Sequence, residues 1–157
     1  SNGRMIRFDE NEIRVMGRTA SGVRGIDVGD GFCVGCEIAG NNQDVLVVTE
    51  KGYGKKTDIN EYRMTHRGSK GVKALNVTEK NGSIVSFKIL NGDEDLMIVT
   101  NNGIIIRISS EQVSSTGRVA QGVKLINLKD EQKVSSIALI EKNEDNSDES
   151  SEISEQQ

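Results

Sequence analysis

The stretch Arg18-Thr19-Ala20-Ser21-Gly22-Val23-Arg24 decides the architecture, because it occurs three times. It returns as Arg67-Gly68-Ser69-Lys70-Gly71-Val72-Lys73 and as Arg118-Val119-Ala120-Gln121-Gly122-Val123-Lys124, at spacings of 49 and 51 residues. A second string keeps that register. Asp44-Val45-Leu46-Val47-Val48-Thr49, followed by Gly52, recurs 51 residues on as Asp95-Leu96-Met97-Ile98-Val99-Thr100, followed by Gly103. Two independent strings in one register establish an internal repeat of about fifty residues.

The units read as almost all strand. Residues 45–49, 96–100 and 104–108 are short β-branched runs closed by turn residues, residues 84–89 alternate more loosely, and residues 134–140 close the third unit. Turns fall at Asn41-Asn42, Lys51-Gly52, Asn81-Gly82, Asn91-Gly92 and Asn102-Gly103, where Asn or Gly supplies positive φ. No segment carries sustained helical periodicity with caps. A unit of this length with about four strands suits a propeller-type blade, and leucine-rich or helical repeats are excluded. About three blades fall short of the roughly 4–8 that close a ring, so the expectation is an all-β, incomplete disc of antiparallel blades.

Composition bounds the rest. The chain has 157 residues, two cysteines, no proline and no tryptophan. No stretch approaches the ~20 apolar residues of a membrane span and no signal peptide opens the chain, so a cytosolic protein without membrane partners is expected. The net charge of -4 hides an asymmetry: six of the 24 acidic residues lie in residues 143–157, which hold no basic residue. The first 142 residues keep 18 acidic and 20 basic residues, a body of charge +2. Residues 1–142 therefore read as the blades, and 143–157 as a disordered acidic tail with too little apolar surface to fold.

Superposing the units places cations in columns. Arg7, Lys56 and Arg107 form one, Arg18, Arg67 and Arg118 a second, and Arg24, Lys73 and Lys124 a third. Soluble strand edges would predict charge without retention of its sign in every column. A basic rim repeated blade by blade matches duplex nucleic acid, whose charges recur every ~1.7 Å of axis, and reads backbone and bendability rather than bases. Aromatic content is only 3%, which disfavours single-strand binding on stacking platforms. Lys55 and Lys70 join the set, because the stretch from Tyr62 to Gly71 combines glycines with Arg67 and Lys70, and Lys55-Lys56 adds to the same unit.

Catalytic and metal constellations are not found. Cys33-Val34-Gly35-Cys36 has zinc or redox spacing, but there is no second cysteine pair and the one histidine, His66, is 30 residues away. Gly29-Asp30-Gly31 and Gly52-Tyr53-Gly54 read as turn glycines outside any strand-to-helix phosphate loop. The expectation is no catalytic residue, no metal and no cofactor in this chain.

Met5-Ile6-Arg7-Phe8, Val15-Met16-Gly17-Arg18-Thr19-Ala20 with Gly22-Val23-Arg24-Gly25-Ile26, Gly52-Tyr53-Gly54-Lys55-Lys56-Thr57, and Thr116-Gly117-Arg118 with Gln121-Gly122-Val123-Lys124-Leu125-Ile126 resemble the C-terminal domain of the DNA gyrase A subunit. The resemblance covers residues 5 to about 142. It implies a β-pinwheel, a propeller-like disc of about six blades that exchange strands, of which this chain would be the C-terminal half. It further implies bacterial, nucleoid-associated DNA wrapping on a basic perimeter that supports negative supercoiling. Partners would be double-stranded DNA, the gyrase B subunit, with the remainder of the gyrase A subunit, in a heterotetramer. The catalytic tyrosine, ATP and Mg would belong to other parts of that enzyme. The family's glycine-basic heptad is present only as the degenerate His66-Arg67-Gly68-Ser69-Lys70-Gly71. The alternatives are the equivalent domain of topoisomerase IV and, in another class, a protein-interaction propeller.

Overall fold

The computed structural model describes residues 1–142, and the expected acidic tail lies outside them. Nine strands follow the repeat: β1 (Arg4–Met5), β2 (Asp44–Thr49), β3 (Tyr53–Asp58), β4 (Val72–Lys73), β5 (Ile84–Leu90), β6 (Glu94–Thr100), β7 (Ile105–Ser109), β8 (Val123–Lys124) and β9 (Val134–Glu141). Among the described residues the helical content is three single 3₁₀ turns, Glu10–Glu12, Ile59–Glu61 and Ser110–Gln112. Asp9, Asp58 and Ser109 cap them identically, each side chain accepting the N–H two residues on.

The sheets are antiparallel, in the orders β1-β4, β5-β2-β3-β8 and β7-β6-β9. The strands therefore do not stay in their own units. β4 leaves the second unit to pair with β1 of the first, and β8 leaves the third to pair with β3 of the second. This is the strand exchange of a pinwheel.

Pleating explains the continuous apolar run of β2. Its side chains alternate between faces, and both faces are covered. Val45 and Val47 enter a core with Ile59, Tyr62, Ala74, Leu75 and Ile84. Leu46 and Val48 enter a second core with Leu96, Ile98, Val113, Val134 and Ile137. The middle sheet is thus sandwiched between its neighbours. Its hairpin turns at Gly52 (φ 79°), where the Gly52 N–H donates to Thr49 O at 3.0 Å and the Tyr53 N–H to Thr49 Oγ1 at 3.3 Å. Thr100, Gly103 and Ile104 repeat that turn at 3.1 and 3.0 Å. Gly54, expected in a turn, lies within β3 instead. A Cβ there would stand 2.4 Å from Leu125 Cδ1 and 2.9 Å from Val47 O, so glycine serves close packing.

The first unit differs. Residues 33–39 align with β5 and β9 but form no strand, and the sequence opens at β1, which aligns with the start of β3. A cavity of about 680 Å³ lies beside residues 33–39, lined by Ile6, Phe8, Val34, Ile38 and Phe87 among others. Phe32 and Ile38 are exposed.

Candidate nucleic-acid interface

The three columns have different surroundings. In the first, Arg7 Nη1 donates to Ile59 O at 3.1 Å, and Lys56 Nζ donates to Ser110 O at 3.3 Å. Ile59 and Ser110 each open the 3₁₀ turn of the following unit, so these half-buried cations hold one unit to the next. Arg107 is instead paired with Asp95, Nε to Oδ2 at 2.7 Å, and stays exposed.

In the second column, Arg67 Nε donates to Glu12 O at 3.2 Å and Nη1 to Arg24 O at 3.2 Å, while its backbone N–H donates to Glu12 Oε2 at 3.1 Å. Arg118 repeats this one unit later, its N–H donating to Glu61 Oε2 at 2.8 Å and its Nη1 to Lys73 O. Arg18 is exposed and makes no hydrogen bond or ion pair of its side chain among the described residues.

In the third column Arg24, Lys73 and Lys124 are all exposed, and Lys73 Nζ donates to Asn76 Oδ1 at 3.3 Å. Lys73 and Lys124 sit on the exchanged strands β4 and β8, and the carbonyls of Arg24 and Lys73 are those gripped by the second-column arginines. These two arginines thereby fix the backbone from which Arg24 and Lys73 project. Lys73 stands opposite Arg4 in the β1–β4 pair, a residue no repeat singles out. Two cations directly opposed across a ladder repel, and an anion relieves that cost. Lys124 stands opposite Tyr53, with its Nζ 5.7 Å from the ring centroid; Lys80 approaches the same ring at 5.7 Å. Arg4, Tyr53 and Lys80 thus belong to this surface. Their signal lies in strand pairing, which spacing alone does not reveal.

Lys55 and Lys70 part company. Lys70 is exposed in the loop before Gly71. Lys55 is fully buried, its Nζ donating to Gly117 O at 2.7 Å and Arg118 O at 2.6 Å. Burial lowers its pKa to about 8, the Glu61 carboxylate opposing and the Arg118 guanidinium adding to the fall. Lys55 therefore belongs to the frame that shapes the Arg118 loop. Cys33 and Cys36 are both exposed free thiols, and His66 Nδ1 lies 3.2 Å from Glu12 Oε1.

The family model described as "DNA gyrase C-terminal domain, beta-propeller" matches residues 1–39, 43–91 and 94–141, one match per unit. The chain belongs to that family. It is 49% identical over 160 residues to the DNA gyrase A subunit of Staphylococcus aureus strain MRSA252, covering 99% of this chain and 18% of that protein. The same protein from strain NCTC 8325 is 49% identical over 155 residues, covering 97% and 17%. The chain thus spans under a fifth of these relatives. Among solved structures, the C-terminal domain of DNA topoisomerase IV matches with a TM-score of 0.83 at 24% identity, over 89% of this chain and 44% of that one. The DNA gyrase A C-terminal domain matches with a TM-score of 0.78 at 24% identity, over 88% and 47%. Those two likenesses establish the propeller-like fold of this gyrase-family domain.

Proposed function

We propose that this chain binds duplex DNA without base specificity and bends it along the edge formed by the exchanged strands, as a wrapping module of a gyrase A subunit. One observation carries the reading: Arg24, Lys73 and Lys124 recur as exposed cations once per unit, with Arg4 facing Lys73 across the ladder. Arg18, Lys70 and Arg107 extend the surface, whereas Arg7, Lys56, Arg67 and Arg118 act through the backbone they hold. Wrapped DNA would support negative supercoiling, with the catalytic tyrosine, ATP and Mg supplied by the rest of the gyrase A subunit together with the B subunit. Sequence identity of 49% to gyrase A favours this over the topoisomerase IV equivalent, which matches in fold alone.

The test is the salt dependence of duplex binding, followed by fluorescence anisotropy. Each phosphate contact contributes about -0.9 to the slope of log K against log salt. Replacing Lys73 and Lys124 by Ala should flatten the slope by about 1–2 and weaken all sequences alike. A slope that the two substitutions leave unchanged would rule out the reading in favour of a protein-binding propeller.

A further inference from the structure

At the joint between the second and third units, two cations from different units meet on one aromatic ring. Lys80 lies in the turn after β4 and Lys124 on β8, and both are exposed. Their Nζ atoms each stand 5.7 Å from the centroid of the half-buried Tyr53 ring. The ring attracts an ammonium but neutralises neither. Neither lysine takes part in an ion pair among the described residues. Like charges gathered on a neutral ring repel, so the arrangement favours an anion that touches both. The preceding joint is built otherwise. Arg4 stands opposite Lys73 as Tyr53 stands opposite Lys124, but Arg4 Nη1 donates to Gly71 O at 3.3 Å and Lys73 Nζ to Asn76 Oδ1 at 3.3 Å.

The turn that carries Lys80 is fixed from several sides. Asn81 is only 1% exposed, and its Oδ1 accepts the Thr78 N–H at 2.7 Å and the Thr78 hydroxyl at 3.2 Å. Its Nδ2 donates to Asn76 O at 2.9 Å and, across the joint, to Gln121 O at 3.3 Å. The Gly82 N–H closes the turn on Thr78 O at 2.9 Å, and Lys51 Nζ donates to Glu79 O. Gln121 lies three residues before Lys124. One buried amide thus ties the backbone next to Lys80 to the loop that leads into Lys124.

We propose that Lys80 and Lys124 clamp one phosphate of the duplex backbone between them over the Tyr53 ring, and that Asn81 is the positioning residue that assembles this clamp across the joint. The inference rests on the duplex-binding reading and deepens it: the second and third units share one phosphate here instead of each holding its own. Bound DNA would also oppose separation of β8 from β3, because the clamp exists only while those strands are paired.

Duplex binding by the full chain at fixed salt, followed by fluorescence anisotropy, tests the clamp through a double-mutant cycle. Lys80→Ala and Lys124→Ala should each weaken binding several-fold. The double variant should lose less than the product of the two, because either substitution alone opens the clamp. Lys80→Ala combined with Lys88→Ala, whose lysine is paired with Glu37, should instead be multiplicative. Tyr53→Leu should weaken binding with no change of charge, and Tyr53→Phe should restore it. Asn81→Ser should weaken binding in the wild-type background and add nothing in the Lys80→Ala/Lys124→Ala background, where a merely structural loss would persist. Circular dichroism checks that each variant is folded. Lys80→Ala binding as tightly as the wild type, or losses at Lys80 and Lys124 that multiply, would overturn the clamp. Wild-type affinity in Tyr53→Leu would remove the ring from it, and an equal Asn81→Ser loss in both backgrounds would overturn the positioning role. If replacing Lys73 and Lys124 flattens the salt slope while Lys80→Ala has no effect, duplex binding stands and the clamp alone falls; if the slope does not move, both fall.

Discussion

Lys55 carries the sharpest consequence at the scale of single residues. Its buried amine has a pKa near 8, below its ordinary value of 10.5, because burial disfavours the charge. Unfolded chains keep that proton to higher pH, so the unfolded state binds more protons above about pH 8, and stability should rise with pH there. The slope contributed is at most about 1.4 kcal/mol per pH unit. A neutral amine still has two N–H groups for the Gly117 and Arg118 carbonyls, so the geometry survives deprotonation. Urea unfolding at pH 8 and 9.5 should show a gain in the wild type that is missing in Lys55→Met. The same slope in both proteins would mean that the amine titrates normally. Gly71 supplies a second case: Gly71→Ala sets a Cβ 2.3 Å from Met5 O at φ 66° and should cost roughly 2–4 kcal/mol in the same assay. Sequence alone locates the lysines and glycines but not their partners. A column of arginines repeats as faithfully for a repeated backbone carbonyl as for a repeated phosphate. Only placement separates Arg67, spent on two backbone carbonyls of Glu12 and Arg24, from Lys73, exposed opposite Arg4 with its Nζ on the Asn76 side chain.

At the scale of elements, legibility follows side-chain chemistry. β2, β5, β6, β7 and β9 are readable to within about two residues at each end, because β-branched runs bounded by Asn and Gly announce themselves. β3 is not, since Gly54, Lys55 and Lys56 resemble a loop and become strand only through pairing with β2 and β8. The two-residue strands β1, β4 and β8 have no local signal at all; the neighbouring unit creates them. The hairpin threonines are likewise legible as repeats but not as contacts. Thr49→Val should lower unfolding free energy by about 1 kcal/mol, because it removes the hydroxyl that accepts the Tyr53 N–H and leaves shape unchanged. An unaltered urea midpoint would show that the turn is held by Gly52 alone.

Over the whole molecule, the cores predict where stability is concentrated. The core containing Leu46, Val48, Leu96 and Ile98 is shared between the second and third units, so those units should open together. Residues 13–41 form no strand. Native-state amide exchange should therefore be slowest in β2 and β6 and fastest across residues 13–41. Comparable protection in both regions would contradict this ranking. The repeat reveals the number of units and their propeller-type class, yet it hides this gradient, which depends on how each strand is covered by its neighbours. Strand exchange also settles how the molecule bears mechanical load. The joints between units are the β1–β4 and β3–β8 ladders of two pairs each, backed by Arg67, Arg118 and Lys55, against five pairs in each of the hairpins β2–β3 and β6–β7. Tension should part these short joints one at a time while each β2–β3 or β6–β7 hairpin stays whole, so the domain yields stepwise like a chain of clasps.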